Sequence, residues 1–324
     1  MFHNHTLEEL VELDFLRPPR TVDPLVFFPS EFETHTPKEI SKHVIFMHNY
    51  WRWSIPISFL YVLGIFYAQQ AMKDRKPVKL KTSLILWNAG LAIFSFWGGF
   101  RTAIFMIYDA YHMGWGPTIC YTTYNCKGCE TAPIWVYLFA YSKVVELGDT
   151  LFIVLRKRPL IFLHWYHHVT VLCYTWYAVG TVTAGGTYFI AANFSVHFLM
   201  YSYYAIRAAG FNVPRGAQMS LTLCQIAQMI FGIFINIKAF GLKQKLGDAC
   251  MTSYEGIAVC LLMYASYCVL FSLFFYKTYI KKERQTEVLS PASLINGITA
   301  LLKKSSFGHF KFSGVAGVIS QKTD

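Results

Sequence analysis

The sequence predicts an all-helical protein that crosses a membrane seven times. Three observations predict it. The 324-residue chain is 54% hydrophobic and only 15% charged, against about a quarter charged in a soluble domain. Seven windows of roughly 20 mostly apolar residues occur, the length that crosses ~30 Å of hydrocarbon. The gaps between them alternate between basic and poor in positive charge, the asymmetry that orients membrane helices. The same composition excludes a disordered chain, which is marked by low hydrophobicity. Eight cysteines in 324 residues are too sparse for a small disulfide scaffold.

The windows run from Ile55 to Met72, Ser83 to Tyr108, Pro133 to Leu155, Leu160 to Val179, Tyr188 to Ala208, Met219 to Phe240 and Gly256 to Tyr279. Lys73, Arg75, Lys76, Lys79 and Lys81 follow the first, and Arg156, Lys157 and Arg158 the third. Arg207 and Arg215 follow the fifth, and Lys277, Lys281, Lys282 and Arg284 the seventh. The gap from Asp109 to Ala132 holds only Lys127, the gap from Gly180 to Thr187 has no base, and Gly241 to Ser253 holds Lys243 and Lys245. Basic gaps after odd-numbered windows place the C-terminus in the cytoplasm and the N-terminus outside. The net charge of +11 then reads as topology, and no nucleic-acid partner is expected.

Three regions follow: an outer N-terminal segment over 1–52, a seven-helix body over 53–282, and a basic, mobile cytoplasmic tail over 283–324. No cleavable leader is expected, because no cationic stretch runs straight into a short apolar one. Asn4-His5-Thr6 is a glycosylation sequon on the predicted outer side. Cys120, Cys126, Cys129 and Cys250 all fall in predicted outer loops. A disulfide joining the loop after window two to the loop after window six fits an oxidising compartment. Cys126 and Cys129 form one CxxC, and zinc would need two further ligands.

Ionisable groups in lipid cost about 2.5–3.5 kcal/mol each even on the lenient insertion scale. Four successive windows nevertheless carry them. At 100° per residue, Lys143, Glu146, Asp149 and Thr150 fall in one arc of about 120°. His164, His167 and His168 lie at i, i+3 and i+4 on one face. Asn193 and His197 are four apart, and Met200, Tyr201 and Tyr204 continue their stripe. Thr222, Gln225 and Gln228 recur at steps of three. A Thr/Gln stripe is commonly helix–helix glue, and Lys143 with Glu146 can be a structural ion pair. Four polar stripes on consecutive helices converge on one another or on a polar cavity, and a membrane-embedded site is the favoured reading.

Clustered histidines serve metal chemistry or acid–base and nucleophilic chemistry. A di-iron lipid desaturase or hydroxylase needs about eight histidines, whereas His164, His167, His168 and His197, those within the windows, suffice for a single metal; an iron-dependent lipid desaturase or hydroxylase stays as the alternative. A proton-relay transporter lacks the broken or inverted helix pair that would support it. Acyl transfer is the third candidate, since imidazole is itself a nucleophile, although no nucleophilic cysteine or GxSxG elbow stands beside a base. A non-catalytic lipid carrier is the further alternative.

Four sequence boxes now stand in order: Lys143-Val144-Val145-Glu146-Leu147-Gly148-Asp149-Thr150, His164-Trp165-Tyr166-His167-His168, Asn193 through His197 to Met200-Tyr201-Ser202-Tyr203-Tyr204, and Thr222-xx-Gln225-xx-Gln228. On these boxes the chain resembles the ELO family of very-long-chain fatty acid elongases, over about Trp53 to Lys282. The resemblance implies seven transmembrane helices, six of them forming a barrel around an acyl tunnel, in the endoplasmic reticulum membrane with a lumenal N-terminus. It implies decarboxylative condensation of acyl-CoA with malonyl-CoA to 3-ketoacyl-CoA, CO2 and CoA, with no metal and no cofactor. It further implies an acyl-imidazole on His167 in a ping-pong sequence. Partners implied are the ketoreductase, dehydratase and enoyl reductase of an elongation cycle, with a homodimer also open.

The chemistry of the residues fits those implied roles. An apolar interior favours the uncharged imidazole that attack requires, and a dry tunnel protects a hydrolysable intermediate. His164 and His168 are typed to orient His167 or move protons. His197 and Asn193 are typed to polarise a thioester or stabilise an enolate. Glu146 and Asp149 are expected to set histidine tautomers and pair with Lys143. Lys143 is expected to reach a CoA phosphate or malonyl carboxylate if its end of the helix is solvated. Tyr201, Tyr204, Thr222, Gln225 and Gln228 are candidate substrate contacts, and Arg156, Lys157 and Arg158 candidate CoA contacts. Pro159, five residues before His164, together with Trp165-Tyr166 and Arg207-Ala208-Ala209-Gly210, resembles the saturated and monounsaturated branch.

Overall fold

The structure, a computed structural model, describes residues 20–21, 37–120, 126–127 and 131–281. Helices cover all seven windows. After α1 (Pro37–Tyr50) and a 3-10 turn at Trp51–Trp53 come α2 (Ser54–Ala71), α3 (Lys81–Met113) and the short α4 (Trp115–Cys120). Then follow α5 (Thr131–Val145), α6 (Gly148–Leu155), α7 (Phe162–Gly180), α8 (Gly186–Ala209), α9 (Arg215–Leu246) and α10 (Tyr254–Phe275). A π-turn over Tyr276–Ile280 closes α10. The strand content among the described residues is one two-residue parallel pairing of Arg20–Thr21 with Cys126–Lys127.

Three helices are long and apolar enough to cross a membrane by length and composition: Lys81–Met113, Arg215–Ala249 and Tyr254–Ile280. The third window is interrupted. Between α5 and α6 the ladder tightens to i+3 bonds, from Leu147 to Val144, Asp149 to Glu146 and Thr150 to Leu147. Each half is therefore shorter than a full crossing. In α7 and α8 the histidines, Asn193 and the tyrosines dilute the apolar run.

Residues 37–50, read from sequence as part of an outer segment, form a packed helix. Val44 and Met47 of α1 are buried against Trp135, Tyr137 and Ala140 of α5 and Leu172 and Trp176 of α7. His43 Nδ1 meets the Tyr141 hydroxyl at 3.1 Å, and His48 Nδ1 meets the Gly180 carbonyl at 3.1 Å. Pro37 suits the first helical position, where the missing N–H costs nothing.

α3 and α8 pack most intimately. Gly98 and Gly99 admit Phe194, and a Cβ at Gly98 would lie 2.7 Å from the Phe194 ring. At the basic-loop end, Val78 N–H donates to the Leu155 carbonyl. There Lys157 Nζ donates to the carbonyls of Lys73 (2.8 Å) and Arg75 (3.0 Å).

At the opposite end Cys120 and Cys250 form a disulfide spanning 130 residues. Met251 N–H donates to the Cys120 carbonyl, Ala184 N–H to the Met251 carbonyl, and Lys243 Nζ to the Cys250 carbonyl. This knot ties the ends of α4, α8, α9 and α10. Cys120→Ser is expected to lower stability by about 2–4 kcal/mol. The thermal midpoint of the variant in detergent should then be insensitive to reductant, while that of the parent falls on reduction. Asn4 and Cys129 lie outside the described residues, as does the tail.

Candidate active site

Each polar stripe comes from a helix whose other faces are apolar, so bundle packing turns the stripes inward. They line a cavity of about 600 Å3 that runs from Arg156, Arg158 and Arg207 at the basic-loop end to Asn193 and Met229. A second cavity of about 90 Å3 continues from Asn193 toward Thr183 and Thr187 at the disulfide end. Asn193 lines both.

His164, His167 and His168 of α7 line the larger cavity with His197 of α8. The His167 ring stands 5.6 Å from His168, 6.4 Å from His197 and 5.0 Å from Tyr267, centroid to centroid. No hydrogen bond to its imidazole is found among the described residues. The backbone carbonyl of His167 accepts instead from the Tyr267 hydroxyl at 3.3 Å, and that hydroxyl also meets Thr170. The helix position is thus fixed while the ring stays available to a ligand. Among the described residues no group of three or more His, Cys, Asp or Glu is arranged to hold a metal ion.

Lys143 is 1% exposed. Its ammonium donates to Glu146 Oε1 (2.8 Å), Glu146 Oε2 (3.0 Å) and Asn193 Oδ1 (3.1 Å), and lies 4.1 Å from the Phe139 ring centroid. All three of its donors are spent inside the protein. This corrects the expectation that Lys143 reaches a CoA phosphate or malonyl carboxylate: that end of α5 is sealed. Its effect is indirect. It holds Asn193 Oδ1, and Asn193 lines both cavities. Glu146 also takes the Ser142 hydroxyl and stands 3.7 Å from His197 Nδ1.

Asp149 pairs with neither Lys143 nor a histidine, contrary to the sequence expectation. Its Oδ1 accepts the Trp87 indole N–H at 2.6 Å and its Oδ2 accepts the Tyr201 hydroxyl at 2.7 Å. The tightened turn at Glu146–Leu147 separates the two carboxylates, which an ideal helix would hold in one arc. Gly148 makes room for this clamp, since a Cβ there would lie 2.8 Å from the Trp87 ring. Tyr201 therefore lines the cavity with its hydroxyl already committed. Thr150, with Oγ1 2.8 Å from His164 Nε2, is within hydrogen-bond distance of a histidine, whereas Glu146 stands farther from His197.

Other candidates divide. Tyr204, Gln225 and Gln228 line the larger cavity, and the Gln225 amide also donates to Met200 Sδ at 3.7 Å. Thr222 does not line it; its hydroxyl donates to the Gln218 carbonyl at 3.3 Å and sits 3.5 Å from the Tyr279 hydroxyl. Arg156 and Arg158 line the mouth, whereas Lys157 is spent on the Lys73 and Arg75 carbonyls. Residues missed from sequence are Arg207 at the mouth, Trp87 on Asp149 and Tyr61 on Thr150. Arg207 already stood beside the third box. Trp87 and Tyr61 sit in windows without a polar stripe, so nothing local marked them.

The profile of the GNS1/SUR4 family, ELO, matches residues 46–287. The chain is 42% identical over 256 residues to Very long chain fatty acid elongase 6 of Mus musculus, covering 79% of this chain and 95% of that protein. It is 42% identical over 266 residues to Putative fatty acid elongase 3 of Caenorhabditis elegans, covering 81% of each. Over 253 residues it is 40% identical to Very long chain fatty acid elongase 3 of Homo sapiens, covering 78% of this chain and 92% of that protein.

Proposed function

This chain belongs to the GNS1/SUR4 (ELO) family, and from that membership we propose that it is a fatty acid elongase condensing long-chain acyl-CoA with malonyl-CoA. The observation that carries the mechanism is the His167 imidazole, for which no hydrogen-bond partner is found among the described residues, on the wall of a cavity that Arg156, Arg158 and Arg207 also line. The apolar acyl chain runs past Asn193 toward the disulfide end, and the CoA phosphates meet Arg156, Arg158 and Arg207.

An uncharged His167 nitrogen attacks the thioester carbonyl carbon. The C–S bond breaks, CoA leaves as the thiolate and takes up the proton released from the imidazole, and an acyl-imidazole remains. Malonyl-CoA then loses CO2. The enolate carbon attacks the acyl carbonyl, the C–N bond breaks, the departing imidazole nitrogen takes up one proton from solvent, and 3-ketoacyl-CoA departs with His167 restored. The Asn193 amide, aimed by Lys143, is placed to donate to the charge that develops on oxygen. The two thioesters and one proton from solvent supply all the atoms, so the reaction as proposed calls for no cofactor.

In this reading seven helical spans cross the endoplasmic reticulum membrane, six of them around the tunnel, with the basic loops cytoplasmic. The ketoreductase, dehydratase and enoyl reductase of the cycle act on the product, and saturated or monounsaturated chains are the preferred substrates. Purified protein given a saturated acyl-CoA and malonyl-CoA is expected to release CO2 and form 3-ketoacyl-CoA without NADPH. With acyl-CoA alone, intact-protein mass should rise by one acyl group. A protein that binds acyl-CoA yet yields neither adduct nor product is a carrier, and the proposal fails.

A further inference from the structure

Tyr61 lies on α2, outside all four sequence boxes, yet it touches the site. Its hydroxyl is 2.6 Å from Thr150 Oγ1, which is 2.8 Å from His164 Nε2. Thr150 is fully buried. The chain of atoms therefore runs from a helix with no polar stripe, through α6, to the first histidine of the α7 face. Thr150 has one hydrogen to give and its neighbours on both sides are within reach, so the chain has a direction.

Two directions are available. In one, Tyr61 donates to Thr150, Thr150 donates to His164 Nε2, and every hydroxyl hydrogen is used. In the other, His164 Nε2–H donates to Thr150 and Thr150 donates to Tyr61. The phenol hydrogen is then left without an acceptor, because Thr150 is the sole hydrogen-bond partner of the Tyr61 hydroxyl found among the described residues. Each direction leaves one hydrogen unbonded, the His164 Nδ1–H in the first and the Tyr61 O–H in the second. His164 lines the larger cavity, where water or a ligand can accept from it, whereas Tyr61 does not line it, so the first direction leaves the less costly unmade bond. An uncharged His164 that accepts at Nε2 carries its proton on Nδ1. No hydrogen bond to His164 Nδ1 is found among the described residues, and the ring lines the larger cavity, 4.5 Å from His168 between centroids. His168 Nδ1 is itself buried with no partner.

We propose that Tyr61 is a positioning residue of the condensation, which through Thr150 holds His164 as the Nδ1–H tautomer and so presents an N–H donor on the cavity side of the α7 face. The role as a donor during condensation rests on the elongase reading above. The tautomer itself does not depend on it.

The test uses the full-length protein in detergent with 15N-labelled histidine. In the parent, His164 is expected as the Nδ1–H form with an accepting Nε2. Tyr61→Phe keeps the ring and removes the hydroxyl. It should give a mixed tautomer population and lower kcat about ten-fold, near the net worth of one hydrogen bond, with KM within two-fold. Thr150→Ser keeps the tautomer, and Thr150→Val loses it. An Nε2–H His164 in the parent overturns the proposal, as does a Tyr61→Phe protein with the parent's tautomer and kcat. Equal loss of folded protein without a tautomer change also overturns it, because that is packing alone. If the tautomers shift as expected while the parent forms no 3-ketoacyl-CoA, the positioning stands and the elongase reading falls.

Discussion

His167→Ala is expected to lose 3-ketoacyl-CoA formation by roughly a thousand-fold or more, the scale seen when a covalent nucleophile is removed. Folding should survive, because the imidazole makes no hydrogen bond to the described residues and what anchors this turn is the backbone carbonyl, through Tyr267. Thermal unfolding in detergent and the intact Cys120–Cys250 bond report folding separately from activity. The acyl mass adduct should vanish in the same variant. A variant that still acquires the adduct places the acyl group elsewhere, with His164 and His168 as the neighbouring nitrogens to examine. Replacement by Gln, which fills the space without a nucleophilic nitrogen, should behave as Ala does.

Lys143→Met is expected to destabilise the protein by about 3–5 kcal/mol, the cost of leaving one member of a buried ion pair uncompensated. Glu146 would keep only the Ser142 hydroxyl and the more distant His197 ring. Lys143→Met combined with Glu146→Gln should recover most of the loss, since no uncompensated charge is then left at this pair. The comparison is read as thermal midpoints of the two single variants and the double variant. Additive losses would mean that the pair is not coupled. Activity should respond differently: the double variant regains stability without regaining full activity, because Asn193 Oδ1 has lost the ammonium that aims it.

The helices under the seven windows were legible because each window is a run of about 20 mostly apolar residues, which composition alone marks. α1 was not, because its 14 residues are too short for a crossing and its buried apolar side chains among those described, Val44 and Met47, are too few to mark a core helix. The histidines of α7 and the pair Asn193 and His197 were legible from helical spacing, which fixes a face. The α5–α6 box misled for the same reason. Uniform helical arithmetic put Lys143, Glu146 and Asp149 in one arc, and the i+3 turn at Glu146–Leu147 sends the two carboxylates to different partners. Contacts such as Trp87 with Asp149 or Tyr61 with Thr150 join residues 62 and 89 positions apart. Spacing within one helix carries no trace of them.

The absent side chain at position 148 has an evolutionary consequence. A Cβ there collides with the Trp87 ring, and the same indole supplies the N–H that Asp149 Oδ1 accepts. An alanine at 148 is tolerable only with a smaller residue at 87, and a smaller residue deprives the aspartate of its donor. Substitutions at positions 87, 148 and 149 are therefore expected to be non-additive, a change at one altering what the others tolerate. The glycine, chemically the least of them, limits which substitutions selection can try first.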